Sequence, residues 1–575
     1  MLQLRLERSR RAAAHFDRYA ATRARWKARN RYYHATLERL ARRTIPPGAR
    51  VLELGCGTGD LLAGVQPSFG VGIDLSEGMV REARRRYGGQ AETEGRLHFL
   101  RADAQSIPFH CTFDYVICSD LLGHLDDIQL MLAGLHRVCT PQTKILITYW
   151  NFAWQLPLMA AERLGLKMPE DQQNWLGMAD VDNLLRLTDF ATLDRGTTLL
   201  VPKPVPVLAP LLNELGIRLP FLRTMGLITY WVARPLPAPL AEPLTCSVIV
   251  PCRNEEDNIA ACVERLPPLG AHTELIFVDG ASTDRTRERI LEQIRRYAGR
   301  RDIKLLDQVP DPQAPPPPEL APFAATTAVP PPGLAPFATT AAAPQAARGM
   351  APQDGGASGR PAAPAAARQP AAGQTAAEAG KPAPPVKMLR LGKGDAVRKG
   401  FAAASGDVLF ILDADLTVPP EDLPKFLAPI ATGKADFVNG TRLVYPLEDE
   451  AMRPINLIGN KFFSVLFTWL LDQRIKDTLC GTKVLRKRDY ERIAANRSYF
   501  GDFDPFGDFD LLFGAARLGL RIVEVPVRYR RRTAGYSKVQ VYKHGLLLLR
   551  MSLIAFRRLK LARWVERLRS LRRGQ

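Results

Sequence analysis

At 575 residues the chain is long enough for three or four domain-sized blocks of roughly 100–200 residues each. Its 46% apolar and 24% charged residues exclude wholesale disorder. The net charge of +20 is concentrated at the two ends: residues 1–43 carry 13 Lys/Arg against three Asp/Glu, and residues 543–573 carry ten against Glu566. The body between them is near neutral, and no nucleic-acid motif accompanies the basic ends, so no nucleic-acid partner is expected. Such ends are either solvated basic helices or helices that favour an anionic lipid surface.

In chain order, a helical lead-in carries His15, Phe16, Tyr19, Trp26, Tyr32 and Tyr33, which either cap a ligand or pack as an amphipathic face. Arg50–Leu54 reads as a buried strand, followed at once by Gly55-Cys-Gly-Thr-Gly59 and an apolar helix start at Asp60. Glycines at such a turn permit a tight bend and let a ligand approach the backbone. A second strand, Gly70–Asp74, ends in an acid placed to take ribose hydroxyls. Two further strands, Leu97–Arg101 and Phe113–Cys118, run into Asp103 and Ser119-Asp120. Strands alternating with helices predict a parallel, doubly wound sheet with ligand at the strands' C-terminal edge.

The glycine spacing is G-x-G-x-G, preceded by Glu53, where a Rossmann dehydrogenase has G-x-G-x-x-G. Together with Gly72-Ile-Asp-Leu-Ser76, Ala102-Asp-Ala104 and Ser119-Asp-Leu-Leu-Gly-His124, it resembles the class I S-adenosylmethionine-dependent methyltransferases over residues 15–235. That resemblance implies that Glu53 and Gly55 face the methionine moiety, Asp74 the ribose, and Asp103 and Ala104 the adenine, with Gly57, Gly59 and Ser119 completing the cofactor site. His124 is either a proton acceptor or a structural histidine. The segment from Asn174 to Arg234 looks like the closing helices and antiparallel strands that select a substrate.

A second α/β pattern begins with the strand Leu244–Pro251 and the loop Cys252–Asn258. Strands ending at Asp279 and at Asp413-Ala-Asp415 follow, so one sheet edge receives Glu255, Asp279, Asp413 and Asp415. Hard oxygen ligands of this kind suit Mg²⁺ or Mn²⁺ bridging a diphosphate leaving group. With Gly392–Gly400, Asp413–Glu421, Asn439-Gly-Thr-Arg442 and Gly519–Lys538, the region 244–540 resembles family 2 glycosyltransferases of the GT-A fold, and within them dolichyl- or polyprenyl-phosphate sugar transferases. The resemblance implies that Pro251, Glu255 and Asp279 hold the nucleoside of a nucleotide-sugar donor, with Lys393 and Ala414 also in the donor site. It assigns Asp413 and Asp415 to metal and diphosphate, and Arg442, Arg532 and Lys538 to phosphate charge. Three positions depart from the pattern: Arg253 for a usual tyrosine, Gly280 for a second acid, and Thr417 where a metal-ligating glutamine can stand.

Asp508 and Asp510, in the acidic-aromatic run Phe500–Asp510, are either a general base for a hydroxyl acceptor or helix-capping acids. A phosphate acceptor is already anionic and needs no base. The apolar run Phe462–Leu471 is either a core helix or part of a lipid-acceptor face, and the tail after Tyr542 has the composition of an in-plane interfacial helix. Between Pro310 and Pro385, Pro and Ala fill 44 of 76 positions, including a near-repeat at 320–328 and 334–341, so this stretch reads as a disordered insert. The eight cysteines show no zinc or disulfide spacing, the N-terminus lacks a signal-peptide core, and the apolar runs are too short to span a bilayer.

The expectation is therefore an α/β protein of two doubly wound domains: a methyltransferase at 1–237 and a GT-A transferase at 238–309 and 387–540. The insert occupies 310–386, and a basic amphipathic helix 541–575. Its partners would be a nucleotide sugar, a lipid-linked or glycan acceptor and the inner face of the cell membrane, on which the cytoplasmic protein lies peripherally. The alternatives are sugar-hydroxyl glycosylation in envelope polysaccharide synthesis beside an independent methyltransferase half, and a scaffold with one inactive half.

Overall fold

The computed structural model of the chain describes residues 2–88, 95–170, 173–174, 176–215, 217, 219–237, 239–308, 392–446, 454–496, 508–530, 532 and 541–561. Two seven-stranded sheets organise them. The first holds β1 (Arg50–Leu54), β2 (Phe69–Asp74), β3 (Leu97–Arg101), β4 (Phe113–Ser119), β5 (Cys139–Trp150), β6 (Phe190–Thr198) and β7 (Ile228–Pro235). Its order is β3-β2-β1-β4-β5-β7-β6. The first five strands are parallel, while β7 runs antiparallel to both β5 and β6. Val51, Leu52 and Leu54 of β1 are all buried, because a central parallel strand is covered by helices on both faces.

The second sheet holds β8 (Thr245–Cys252), β9 (His272–Asp279), β10 (Asp302–Asp307), β11 (Val408–Ile411), β12 (Phe437–Thr441), β13 (Lys483–Arg486) and β14 (Ile522–Pro526), in the order β10-β9-β8-β11-β13-β12-β14. Only β13 is antiparallel, to β11 and to β12. In both sheets the strand order reverses beside the first strand: β1 has β2 on one side and β4 on the other, and β8 has β9 and β11. Those reversals open crevices at the strands' C-terminal ends, where α/β sheets bind ligands.

The predicted doubly wound sheets and the antiparallel strands closing the first of them are therefore present. The insert and its near-repeat lie outside the described residues, as do residues 562–575 of the tail. The flanks of the insert are joined: Gln308 Nε2 donates to the Gly392 carbonyl at 2.9 Å and to Asp395 at 3.0 Å. The eight cysteines carry no disulfide, and six of them are buried as small apolar side chains. No helix among the described residues is long and apolar enough to cross a membrane.

Apolar packing also runs across the two halves. Val444 and Tyr445 join the core beneath the first sheet, and Leu187 joins the core of the second. Around this contact the acids come from the first half and the cations from the second: Asp127 with Lys425 (2.6 Å), Asp189 with Lys434 (2.7 Å), Asp180 with Arg474 and Lys476 (both 2.8 Å), and Asp126 with Arg528 (3.1 Å).

Candidate active sites

The turn after β1 holds Gly55, Gly57 and Gly59 at φ of +69°, +52° and +76°, a region that disfavours side chains. At Gly55 a Cβ would press on Leu121 and at Gly59 on the Phe99 ring, whereas at Gly57 it would meet open space. That space is part of a cavity of about 670 Å³ bounded by Gly55, Gly57, Asp74, Asp103, Ala104 and Ser119 on the sheet side. Asp74 accepts the Gly57 amide (2.8 Å) and the Ser76 amide (2.9 Å). Burial nevertheless raises its pKa, with those two hydrogen bonds opposing. Asp103 accepts the Gln105 amide at 2.9 Å, and Ser119 Oγ shares a 3.0 Å hydrogen bond with Thr148.

Glu53 is not among the cavity-lining residues. It is buried behind the glycine turn, accepts the Leu62 amide at 3.1 Å, and burial pushes its pKa up to about 8, against the pull of Lys27.

Phe16, Trp26 and Tyr33 of the lead-in line the cavity, so part of that aromatic face is turned toward it. The lead-in is tied down by Asp17, which accepts from Ser76 (2.6 Å) and the Gly78 amide (2.8 Å), and by the His15–Pro169 carbonyl contact (3.0 Å). Arg23 brings a guanidinium to the cavity wall, where it donates to Met168 Sδ.

Deeper in, Asp120 adopts φ +53°, accepts from Tyr33 Oη at 2.6 Å and is pushed up to about 6 by burial. Trp150 donates to the same Tyr33 oxygen at 2.6 Å. His124 lies in a 3₁₀ turn at the wall, 3.4 Å from Glu170, and burial lowers its pKa. Arg23, Trp150, Glu170 and the hydrogen bonds that link Tyr33, Asp120 and Trp150 escaped the sequence reading. The signal for Tyr33 and Asp120 was present, since Tyr33 belongs to the aromatic lead-in and Asp120 follows Ser119 at a strand end.

In the second half, three loops converge at the crevice beside β8. Each has one non-glycine residue at positive φ: Asn254 (+53°), Ala281 (+55°) and Leu416 (+53°). Strained backbone of this kind clusters at ligand sites. The loops after β8 and β9 are laced together by Gly280 N to the Cys252 carbonyl (2.8 Å) and the Asn254 amide to Ser282 (3.0 Å). Pro251 is the penultimate residue of β8, Glu255 accepts from Asn258 at 2.8 Å, and buried Asp279 accepts from Ser282 Oγ at 2.5 Å.

After β11, Asp413 pairs with Lys393 at 2.5 Å, and Asp415 pairs with Arg532 at 2.7 Å. Burial works to raise the Asp413 pKa, but Lys393, Lys483 and Arg442 together outweigh it and hold the carboxyl low. Lys483 is fully buried on β13, its ammonium donating to the Cys480 carbonyl at 2.5 Å. Gly481 packs so closely on Asp413 and Lys393 that a Cβ there would collide with both. Thr417 donates its amide (3.1 Å) and hydroxyl (2.8 Å) to Asp415, so the residue standing at the glutamine position orients the carboxylate. Ala414 is buried between the two acids.

Arg442 is held in a buried bidentate pair with Asp477, at 2.6 and 2.7 Å. Any phosphate would have to compete with that carboxylate. Asp510 falls in the first turn of the helix Asp508–Arg517, 4.0 Å from Arg398. The Asp508 side chain and Lys538 lie outside the described residues. Among the described residues, Lys483 and Gly481 are the members of this site that sequence reasoning missed. Neither carries a motif, and only the antiparallel placement of β13 beside β11 brings them to Asp413.

Fold and site thus define two α/β domains with strand-end crevices, one built on a glycine turn and a strand-end acid, the other on converging acids with cationic partners. Residues 51–142 match the family model described as a methyltransferase domain, and residues 247–308 and 386–493 match glycosyl transferase family 2. The chain therefore carries a methyltransferase domain and a family 2 glycosyltransferase domain. The first half is similar to an O-methyltransferase of Pyrenophora dematioidea, 29% identical over 26% of this chain and 64% of that protein. The second half is similar to the dolichyl-phosphate hexose transferase of Haloferax volcanii (32% identical, 27% of this chain, 63% of that protein). It is also similar to the dolichol-phosphate mannosyltransferase of Pyrococcus furiosus (33% identical, 27% of this chain, 44% of that protein). The chain spans less than two thirds of the length of each of these relatives.

Proposed function

We propose that the chain is a bifunctional enzyme: residues 1–237 transfer a methyl group from S-adenosylmethionine, and residues 238–309 with 387–540 transfer a glycosyl group from a nucleotide sugar. For the first activity, the carrying observation is the cavity floor, where Gly57 leaves open space beside an Asp74 carboxylate fixed by two backbone amides. S-adenosylmethionine fits this floor and supplies an activated methyl on a sulfonium, so the chain's part is binding, orientation and proton removal. Asp74 takes the ribose hydroxyls, Asp103 and Ala104 border the adenine, and Arg23 meets the methionine carboxylate. His124 is kept neutral by burial and stands beside Glu170, which suits it to accept a proton from an acceptor hydroxyl. The similarity to O-methyltransferases supports a hydroxyl acceptor.

For the second activity, the carrying observation is the pair Asp413 and Asp415 facing Lys393 and Arg532 at the strand-end crevice. Mg²⁺ or Mn²⁺ fits this donor set: such ions take one or two carboxylates and complete their shell with substrate phosphates. Among the described residues no group of three or more His, Cys, Asp or Glu adds a further protein ligand. The ion would neutralise the diphosphate leaving group. Lys393 and Arg532 are the chain's own cations for the same charge, Lys483 sets the potential behind Asp413, and Pro251, Glu255 and Asp279 hold the nucleoside.

The acceptor is a polyprenyl phosphate or glycolipid at the cytoplasmic membrane face. Similarity to two dolichyl-phosphate sugar transferases supports this, as does one exposed apolar face. On the helix Pro454–Leu471, Phe462, Val465 and Trp469 are 55%, 73% and 52% exposed, while Phe463, Phe467 and Leu470 are core. Leu549 and Leu553 extend the exposed face on the neighbouring helix Val541–Ala555, whose Leu548 and Met551 are buried. The test is a donor panel with Mn²⁺ and either polyprenyl phosphate or soluble sugars as acceptor. Turnover on polyprenyl phosphate supports this reading; transfer only to a sugar hydroxyl refutes it and makes Asp508 and Asp510 the candidate bases.

A further inference from the structure

The cavity of the first half is not closed by the first half alone: Pro446 and Arg528 of the transferase half form part of its wall. Arg528 donates to the Asp126 carbonyl at 3.2 Å and pairs with the Asp126 carboxylate at 3.1 Å, and its guanidinium lies over the Tyr445 ring. Asp126 in turn pairs with Arg8 of the lead-in helix at 3.0 Å. A line of contacts thus runs from the transferase half through the loop after β4 to the helix that covers the cavity.

The same stretch of chain serves the other site. Immediately after β14, the Val527 amide donates to the Thr441 carbonyl (2.9 Å) and the Arg530 amide to the Thr417 carbonyl (3.0 Å). Thr417 is the residue that orients Asp415, and Arg532 pairs with Asp415 directly. Arg532 lies four positions beyond Arg528, so their backbones are at most about 14 Å apart. A divalent ion and a diphosphate held at Asp415 would compete for the groups that now anchor one end of this stretch, while its other end grips the cavity wall.

We propose that Arg528 is a positioning residue of the methyltransferase site supplied by the glycosyltransferase half, and that residues 527–530 with Arg532 couple the two sites thermodynamically. The proposal rests on the reading above, that one cavity takes S-adenosylmethionine and the other crevice a nucleotide diphosphate. Coupling of this kind is reciprocal: if one ligand changes the affinity for the other by some factor, the reverse factor is equal.

The experiment is calorimetric titration of the full chain with S-adenosylhomocysteine, alone and with a saturating nucleotide diphosphate plus Mn²⁺. UDP, GDP and dTDP are tried first, and the one that binds is carried forward; the reverse titration follows. Failure of either ligand to bind at all refutes the functional reading rather than the coupling. Where both bind, the expected result is a change of about fivefold in S-adenosylhomocysteine affinity, matched in the reverse titration and lost in Arg528→Gln. Affinities that are independent of the second ligand in the unmodified chain overturn the proposal without any variant. So does coupling that survives intact in a folded Arg528→Gln protein. A merely structural role for Arg528 would alter both affinities without altering the ratio between them.

Discussion

Gly481 offers a sharp test of the transferase site because the perturbation is a single methyl group. Its backbone is outside the positive-φ region, so alanine carries no conformational penalty there. The cost is entirely steric: an added Cβ would lie 2.8 Å from Asp413 Cγ and 2.7 Å from Lys393 Nζ, and closer still to a carboxylate oxygen. Carbon atoms rest at about 3.5–4.0 Å, so the carboxylate must retreat by about 0.7–1.2 Å. Overpacking of this size costs about 1–3 kcal/mol of stability, and a displacement near 1 Å at a reacting centre costs about 100-fold in rate. Gly481→Ala should therefore remain folded, bind S-adenosylhomocysteine as before, and lose about 100-fold of its sugar transfer. Thermal melts, calorimetry and a radiolabelled-sugar assay read the three quantities. Transfer at the unmodified rate would refute the placement of Asp413 at the donor diphosphate.

Asp74→Asn should weaken S-adenosylhomocysteine binding about 10–100-fold, the value of hydrogen bonds to a charged acceptor, while Mn²⁺–nucleotide titrations stay unchanged. Glu53 is held protonated in the folded state up to about pH 8 and ionises near pH 4.5 when unfolded. The folded state thus binds the extra proton, so this group's contribution to stability is full below about pH 4.5, falls as pH rises through the window, and levels off above 8. Glu53→Gln should flatten that part of a melting-temperature profile, and an unchanged slope would reject the buried-acid assignment. Replacing residues 310–390 by a ten-residue Gly/Ser linker should change stability by no more than about 2 kcal/mol in a denaturant titration, since Gln308 and Gly392 already meet. Val465→Glu with Trp469→Glu should lower co-sedimentation with anionic vesicles about tenfold or more, each apolar side chain being worth about 1.5–3 kcal/mol when buried.

The fold was legible where a local pattern dictates it. Arg50–Leu54 and the G-x-G-x-G turn mark a buried strand and its ligand loop within ten residues, and Asp413-Ala-Asp415 marks another strand end. What the sequence concealed depends on contacts between distant segments. Glu53 heads the glycine motif yet points its carboxylate at the Leu62 amide behind the turn, a difference of side-chain direction that spacing does not encode. Arg442 sits in a motif and is nevertheless consumed by Asp477, 35 residues away. The run Phe462–Leu471 left two alternatives, core or lipid-facing, and the helix divides between core and exposed faces: its 3.6-residue period turns Phe463 and Phe467 inward and Val465 and Trp469 outward.

The interface between the halves was invisible for a related reason. Asp126, Asp127, Asp180 and Asp189 look like ordinary surface acids, and Lys425, Lys434, Arg474, Lys476 and Arg528 like ordinary surface cations, in a body whose charge is near zero overall. Only their segregation gives them meaning: every acid is on one side and every cation on the other. Partly buried pairs of this type add little net stability, because desolvation offsets the attraction, but one partner left alone is costly. The attachment therefore owes its strength to Val444, Tyr445 and Leu187, which complete apolar cores across the boundary, and its register to the charges. Cutting the chain between the halves would strip Tyr445 from the methyltransferase core and Arg528 from its cavity wall in the same stroke. On this structure the methyltransferase half is finished by the transferase, which gives the fusion a physical rationale beyond co-expression.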